Sequence, residues 1–259
     1  RGPFKYGDEN AGEKYAADVQ RIIEDLDKEG KAPAVFICET LLGVGGQIPL
    51  PKNYLKTVYN HVRKSGGVCI ADEVQVGFGR VGDAFWGFEL QDAVPDIIVL
   101  GKPIGNGHPL AAVIVTNEIA DAFNNGLEYF NTFGGNPVSM TTGLAVLDVI
   151  QEEEMQEHAK EVGNHLMDGL RKLMEKYPII SDVRGHGLFI GAEMVKDRIT
   201  MEPAIPEIDI VVEKMKEKGY LLSTDGPLHN VLKIKPPMPF NKQNADEMVL
   251  FLDVILSEI

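Results

Sequence analysis

The chain reads as an α/β protein, an α/β domain followed by a smaller C-terminal α+β domain. Three observations in its 259 residues lead there. First, the short apolar runs Ala34–Cys38, Val68–Ala71 and Ile97–Leu100 are bounded by Gly, Pro or acidic residues. Runs this short and this apolar have the pattern of buried parallel strands. Second, the first two of these runs bracket an amphipathic helical stretch, the strand–helix–strand order of a parallel crossover. Third, the pattern changes after Pro178 to short strands interleaved with two helices, the mark of an α+β unit. The change puts a domain boundary near residues 150–155, dividing 1–152 from 153–259.

In order along the chain, Arg1–Asn10 is a loop bearing Gly and Pro. The spacing predicts a helix over Glu13–Glu29, with Tyr15, Val19, Ile22, Ile23 and Leu26 on one face and Gly30 as its stop. The Ala34–Cys38 strand ends at Glu39, and a loop with three glycines follows. Pro51 then opens a helix carrying Tyr54, Leu55, Val58 and Val62, closed by Gly66 and Gly67. Leu110–Val115 is a further strand and Glu118–Asn124 a short helix. A long helical stretch from Pro137 to Tyr177 is expected to break near Glu152–Glu154, an acidic run read as a solvated face. Beyond the break, Met155, Ala159, Val162, Leu166, Leu170 and Leu173 recur at helical spacing and read as packing. Strands follow at Ile179–Val183, Leu188–Val195, Tyr220–Ser223 and Val231–Ile234, with helices at Glu207–Lys218 and Asn244–Glu258.

The composition, 44% apolar and 25% charged, is that of an ordinary globular chain with ample length for a core. A net charge of −14 argues against a nucleic-acid or anionic-membrane partner, which calls for a basic footprint. No apolar run approaches the roughly 20 residues that span a bilayer. No His or Cys pair has zinc-ligand spacing, so no metal is expected. Cys38 and Cys69 read as buried free thiols of a reducing compartment, with a Cys38–Cys69 disulfide left open.

The chemistry concentrates between Gly67 and Gly107, where one apolar run ends at Asp72 and the next, after Gly101, at Lys102. In open α/β sheets the ligand lies outside the carboxyl ends of the strands. An acid and an amine delivered to that edge thirty residues apart, about one βαβ unit of chain, suggest a site. Taken alone, the pair is as well described as a cap and a solvated strand-end lysine. The surrounding motifs add to it. DEVQVGFGRVG, GKPIGNGHP, FNTFGGNP and VRGHGLFIGAE, in that order, resemble the class III aminotransferase family, and the likeness covers nearly the whole chain. Within it, GKPIGNGHP, EYFNTFGGNP and NVLKIKPPM most resemble the phospho-lyases of phosphoethanolamine and phosphohydroxylysine.

The resemblance implies the pyridoxal-phosphate-dependent transferase fold type I, with pyridoxal 5'-phosphate as cofactor. It implies Lys102 as the Schiff-base lysine and Asp72 as the partner of the pyridine nitrogen. A desolvated lysine amine suits the first task, and a carboxylate that keeps the ring protonated suits the second. Gln75 is implied to hydrogen-bond the phenolic oxygen and Val74 to pack on the ring. Thr132, in a Gly-rich loop suited to phosphate, is implied to reach a partner's cofactor, which requires a homodimer. Glu39 is placed beside Gln75, although a solvent-facing strand-end carboxylate fits it equally. His108 is a candidate site-lining residue or an ordinary loop histidine. The glycines of GFGR and GKPIGNG read as tight turns, since neither run has dinucleotide or P-loop spacing.

Two departures bear on the substrate, expected to be a small amine or amino acid. Val44 stands where transaminases of the family often carry glutamate. Lys233 stands where many carry a carboxylate-binding arginine, and a lysine's point charge suits a phosphate as well. Transamination is the family expectation and phosphate elimination the alternative. A non-catalytic scaffold of the same fold is the third reading. Compared with the family, the expected phosphate-binding Gly/Ser loop and ring-stacking aromatic have no counterpart in these residues. The compartment is expected to be the cytoplasm, with the mitochondrial matrix open because the family's N-terminal part is missing.

Overall fold

A computed structural model describes residues 10–259. The loop expected over residues 1–10 falls, apart from Asn10, outside that range. Helix α1 (Ala11–Lys28) leads to strand β1 (Val35–Glu39), and a tight hairpin, β2 (Leu41–Leu42) and β3 (Ile48–Pro49), follows. Helix α2 (Tyr54–Lys64) then returns the chain to β4 (Val68–Asp72), which lies parallel to β1. This is the crossover read from the sequence. From β4 to β5 (Ile97–Leu100) the strands are again parallel, but no α-helix connects them. The link is an irregular loop with one 3-10 turn, Gly87–Gln91, wrapped round the packed rings of Phe78, Phe85, Trp86 and Phe88. Its Gly-rich sequence and aromatic density replace helical packing with a ring cluster. Strand β6 (Ala112–Val115) closes the sheet antiparallel to β5, in the order β1-β4-β5-β6.

One face of this sheet packs on the helices. Phe36, Cys38 and Cys69 meet Ala16 of α1 and Leu55, Val58, Tyr59 and Val62 of α2. Ile23 and Val19 of α1 join them, whereas Ile22 is turned outward. Ile22 lies one step round the helix from the Ala16–Val19–Ile23 stripe. Both cysteines are free thiols, and burial raises each, Cys38 to about 12 and Cys69 to about 11. The pleat sends alternate residues to the other face. In register there stand Glu39, Asp72, Val99 and Val113.

Helix α3 (Asn117–Phe123) precedes α4 (Pro137–Glu152), capped by Asn136, whose Oδ1 accepts from Ser139 N at 3.0 Å. The long helical stretch breaks where expected. Glu153 ends α4, and Glu154, with φ 50, turns the chain into α5 (Met155–Lys176). All six apolar residues forecast for α5 are buried. The remainder forms a second sheet, β10-β11-β8-β7, with β9 (Glu202–Pro203) paired to β8. Its strands are β7 (Ile180–His186), β8 (Phe189–Asp197), β10 (Ser223–Asp225) and β11 (Val231–Ile234), all antiparallel. Helices α5, α6 (Ile205–Glu217) and α7 (Lys242–Leu256) cover it around Leu166, Leu170, Ile190, Met194, Ile208 and Leu252. Helix α5 crosses so near the β7–β8 turn that a Cβ on Gly163 would stand 2.0 Å from Gly187 O.

Candidate active site

The parallel register decides where the two predicted residues fall. Asp72 pairs with Val99 across β4 and β5, and Lys102 follows Val99 by three residues, so both lie at one carboxyl edge of adjacent strands. Asp72 Oδ1 accepts from Val74 N at 3.0 Å, which turns the chain sharply after β4. Its other oxygen has no partner among the described residues. Val74 packs over the end of β5. A Cβ at Gly101 would stand 3.3 Å from Val74 Cγ1, so glycine allows the close approach. Lys102 itself has φ 35, in the left-handed region that non-Gly residues rarely adopt. Such conformations cost about 1–3 kcal/mol and gather at functional sites. Turn hydrogen bonds, Ile104 N to Gly101 O and Asn106 N to Pro103 O, both 3.1 Å, hold it. The Lys102 side chain is exposed and makes no hydrogen bond or ion pair among the described residues.

Glu39 pairs in register with Asp72 on β1 and accepts from Gly43 N at 3.0 Å through Oε2. Gln75 lies beside it. A Cβ on Gly43 would meet Glu39 Oε1 at 3.0 Å, Lys235 Nζ at 3.1 Å and Gln75 Nε2 at 3.2 Å. The grouping of Glu39 with Gln75 expected from the sequence is therefore present. Gln75 Oε1 accepts from Lys235 Nζ at 3.0 Å, while Nε2 has no acceptor among the described residues.

Lys233 is ion-paired to Asp225 at 3.0 Å, and the same carboxylate accepts from Gln47 Nε2 at 2.8 Å. Val44 is two-thirds exposed, its carbonyl accepting from Gly226 N. His108 hydrogen-bonds Ser139 Oγ at 2.8 Å, tying the Lys102 turn to the start of α4. Thr132 is exposed in a loop braced by Asn131 Oδ1, which accepts from Phe133 N and Gly134 N.

Three polar residues went unread in the sequence. Arg80 donates to Pro236 O at 2.8 Å and Leu188 O at 3.3 Å, locking the turn after Gln75 to the second sheet. Lys235 belongs to that sheet's end and reaches back to Gln75. Glu73 is fully buried and accepts three hydrogen bonds at 2.9 Å, from Thr40 Oγ1, Gly87 N and Phe88 N. It ties the end of β1 and the aromatic loop to the end of β4. Burial outweighs the three donors and pushes the Glu73 carboxyl from 4.5 up to about 7.

That shift gives a signed prediction. Between pH 4.5 and 7 the folded chain keeps a proton that the unfolded chain releases, so the contribution of Glu73 to stability falls as pH rises through this window. The loss is on the order of 3 kcal/mol at most. Urea unfolding followed by the single tryptophan, Trp86, in the loop Glu73 holds, is expected to show this fall in the wild type. Glu73→Gln should lack it. The same pH slope in both would remove Glu73 as its source.

The residues present suit pyridoxal phosphate by their chemistry. Among the described residues they offer a carboxylate with one oxygen unpaired, a lysine amine without a partner, an amide with an unpaired donor, and an apolar wall at Val74 beside Gly101.

The family model for aminotransferase class-III matches residues 3–256. "Alanine--glyoxylate aminotransferase 2-like" of Drosophila melanogaster is 49% identical over 247 residues, 95% of this chain and 50% of its own length. "Ethanolamine-phosphate phospho-lyase homolog 1" of Caenorhabditis elegans is 44% identical over 250 residues, 95% of this chain and 54% of its own. Among solved structures, a phospholyase from Arthrobacter in complex with phosphoethanolamine superposes with a TM-score of 0.94 at 36% identity, covering 100% of this chain and 61% of that one. The chain thus spans about half the length of the curated relatives it matches.

Proposed function

The chain belongs to the class-III aminotransferase family, and from that premise we propose that its polypeptide is a pyridoxal-phosphate enzyme that transaminates a small primary amine or amino acid at Lys102. The observation that carries this reading is the parallel register that brings Asp72 and Lys102 to one strand edge, with one Asp72 oxygen and Lys102 Nζ unpaired among the described residues. When bound, the cofactor supplies an electrophilic aldehyde and an electron-withdrawing ring.

The chain's own residues do the rest. Lys102 Nζ would hold the cofactor covalently and, when free of it, would take the substrate's α-proton as general base. Asp72 would keep a proton on the ring nitrogen by offering it a carboxylate. Gln75 Nε2 would donate to the phenolic oxygen, and Val74 would offer the ring an apolar wall. Thr132 serves the partner's phosphate in a homodimer. In support of that dimer, the segment around Thr132 exposes four large apolar side chains, Leu127, Tyr129, Phe130 and Phe133, the last at 81%.

A second reading, elimination of phosphate from an O-phosphorylated amine, is favoured by Val44 and Lys233, which stand where transaminases of the family often carry glutamate and arginine. The two readings separate in one assay on the complete polypeptide. Turnover that requires a keto-acid acceptor, with no phosphate released from phosphoethanolamine, supports transamination. Phosphate release without any acceptor replaces it with the lyase. Failure to bind pyridoxal phosphate at all would leave the scaffold reading.

A further inference from the structure

We infer that Lys235 is a positioning residue that fixes the side-chain amide of Gln75, so that its N–H donor rather than its oxygen faces the cofactor's phenolic oxygen. The inference rests on the functional reading of Gln75 above and goes beyond it. An amide has a donor end and an acceptor end of nearly equal size, and only its neighbours decide which end faces a ligand. Here Oε1 is occupied by Lys235 Nζ at 3.0 Å, and a protonated lysine can only donate. Nε2 is left over, and an anionic oxygen is the partner it suits.

The lysine is held for this task. Its Nζ lies over the ring of Phe189 on β8, 3.7 Å from the centroid. The next residue, Pro236, is gripped through its carbonyl by Arg80, which comes from the same turn as Gln75. One segment of the second sheet is thus fastened twice to the loop after Asp72. Glu39 on β1, Asp225 on β10, Lys233 on β11 and Arg80 are the charged groups around the ammonium. Burial first, and then Lys233 and Arg80, push Lys235 down to about 7, against the pull of Asp225 and Glu39. The charge-assisted bond is therefore at full strength below that pH and weakens above it.

The test is a double-mutant cycle on the complete polypeptide, read as the Kd for pyridoxal phosphate. Gln75→Leu and Lys235→Met are each expected to weaken binding about tenfold, the size of one charge-assisted hydrogen bond. The double variant should be no weaker than Gln75→Leu alone, because Lys235 acts through Gln75. The wild type should bind more weakly at pH 8 than at pH 6, relative to Lys235→Met. Additive losses, an unchanged Kd in Lys235→Met, or no effect of Gln75→Leu would each overturn the inference. Lys235→Leu, which likewise offers no donor to Oε1, carries the same expectation if Lys235→Met does not fold. Failure of the wild type to bind the cofactor would show before any substitution is made, and would sink the functional reading together with this inference.

Discussion

Lys102→Ala is expected to lower turnover by about 10²–10⁴-fold through loss of the general base alone, and further through loss of cofactor attachment. The fold should survive. The Lys102 side chain is exposed and has no partner among the described residues, and alanine meets the same backbone penalty at φ 35. Thermal unfolding of the variant should therefore match that of the wild type to within about 1 kcal/mol. Lys102→Arg sharpens the result. Arginine keeps the positive charge but cannot give up its proton, so it should be as inactive as alanine. Activity retained in either variant would move the chemistry to another residue.

Asp72→Asn is expected to cost about 10²–10³-fold in turnover, the usual loss on removing one preorganised electrostatic contact. The substitution keeps shape, and the remaining oxygen can still accept from Val74 N, so the turn after β4 should hold. What disappears is the negative charge that keeps a proton on the ring nitrogen. The cofactor should still attach at Lys102, and this distinguishes the two variants. Lys102→Ala loses attachment and turnover together, whereas Asp72→Asn loses turnover alone. A loss smaller than tenfold would remove the ring-nitrogen role from Asp72.

The frame of this site was legible before any coordinates. Val68–Asp72 and Ile97–Leu100 are strands because apolar, β-branched runs are bounded by Gly and Pro. The α4–α5 break was readable from the acidic run that interrupts the apolar stripe. The hairpin at 41–49 was not, because two-residue strands carry no periodicity. Strand β10 lies at Ser223–Asp225, with Tyr220 and Leu222 ahead of it packed on the second core, because packing rather than apolarity chose the ladder.

Two residues show why part of the site stayed hidden. Glu73 next to Asp72 looks like a second solvated strand-end acid, and only Thr40 and the 87–88 backbone, distant in sequence, make it a buried clasp. Lys233 attracted attention through its place in LKIKPP, yet its charge is paired with Asp225. The period-2 alternation of that strand carried a signal that went unused. It puts Lys233 and Lys235 on one face, opposite Leu232 and Ile234 in the core.

The central claim is that Lys102 is the residue that holds the cofactor. Incubation of the complete polypeptide with pyridoxal phosphate, reduction with borohydride and peptide mass spectrometry test it directly. The account predicts one pyridoxyl-modified peptide, with the modification on Lys102. A modification on Lys235 or any other lysine in its place, or none at all, would contradict it.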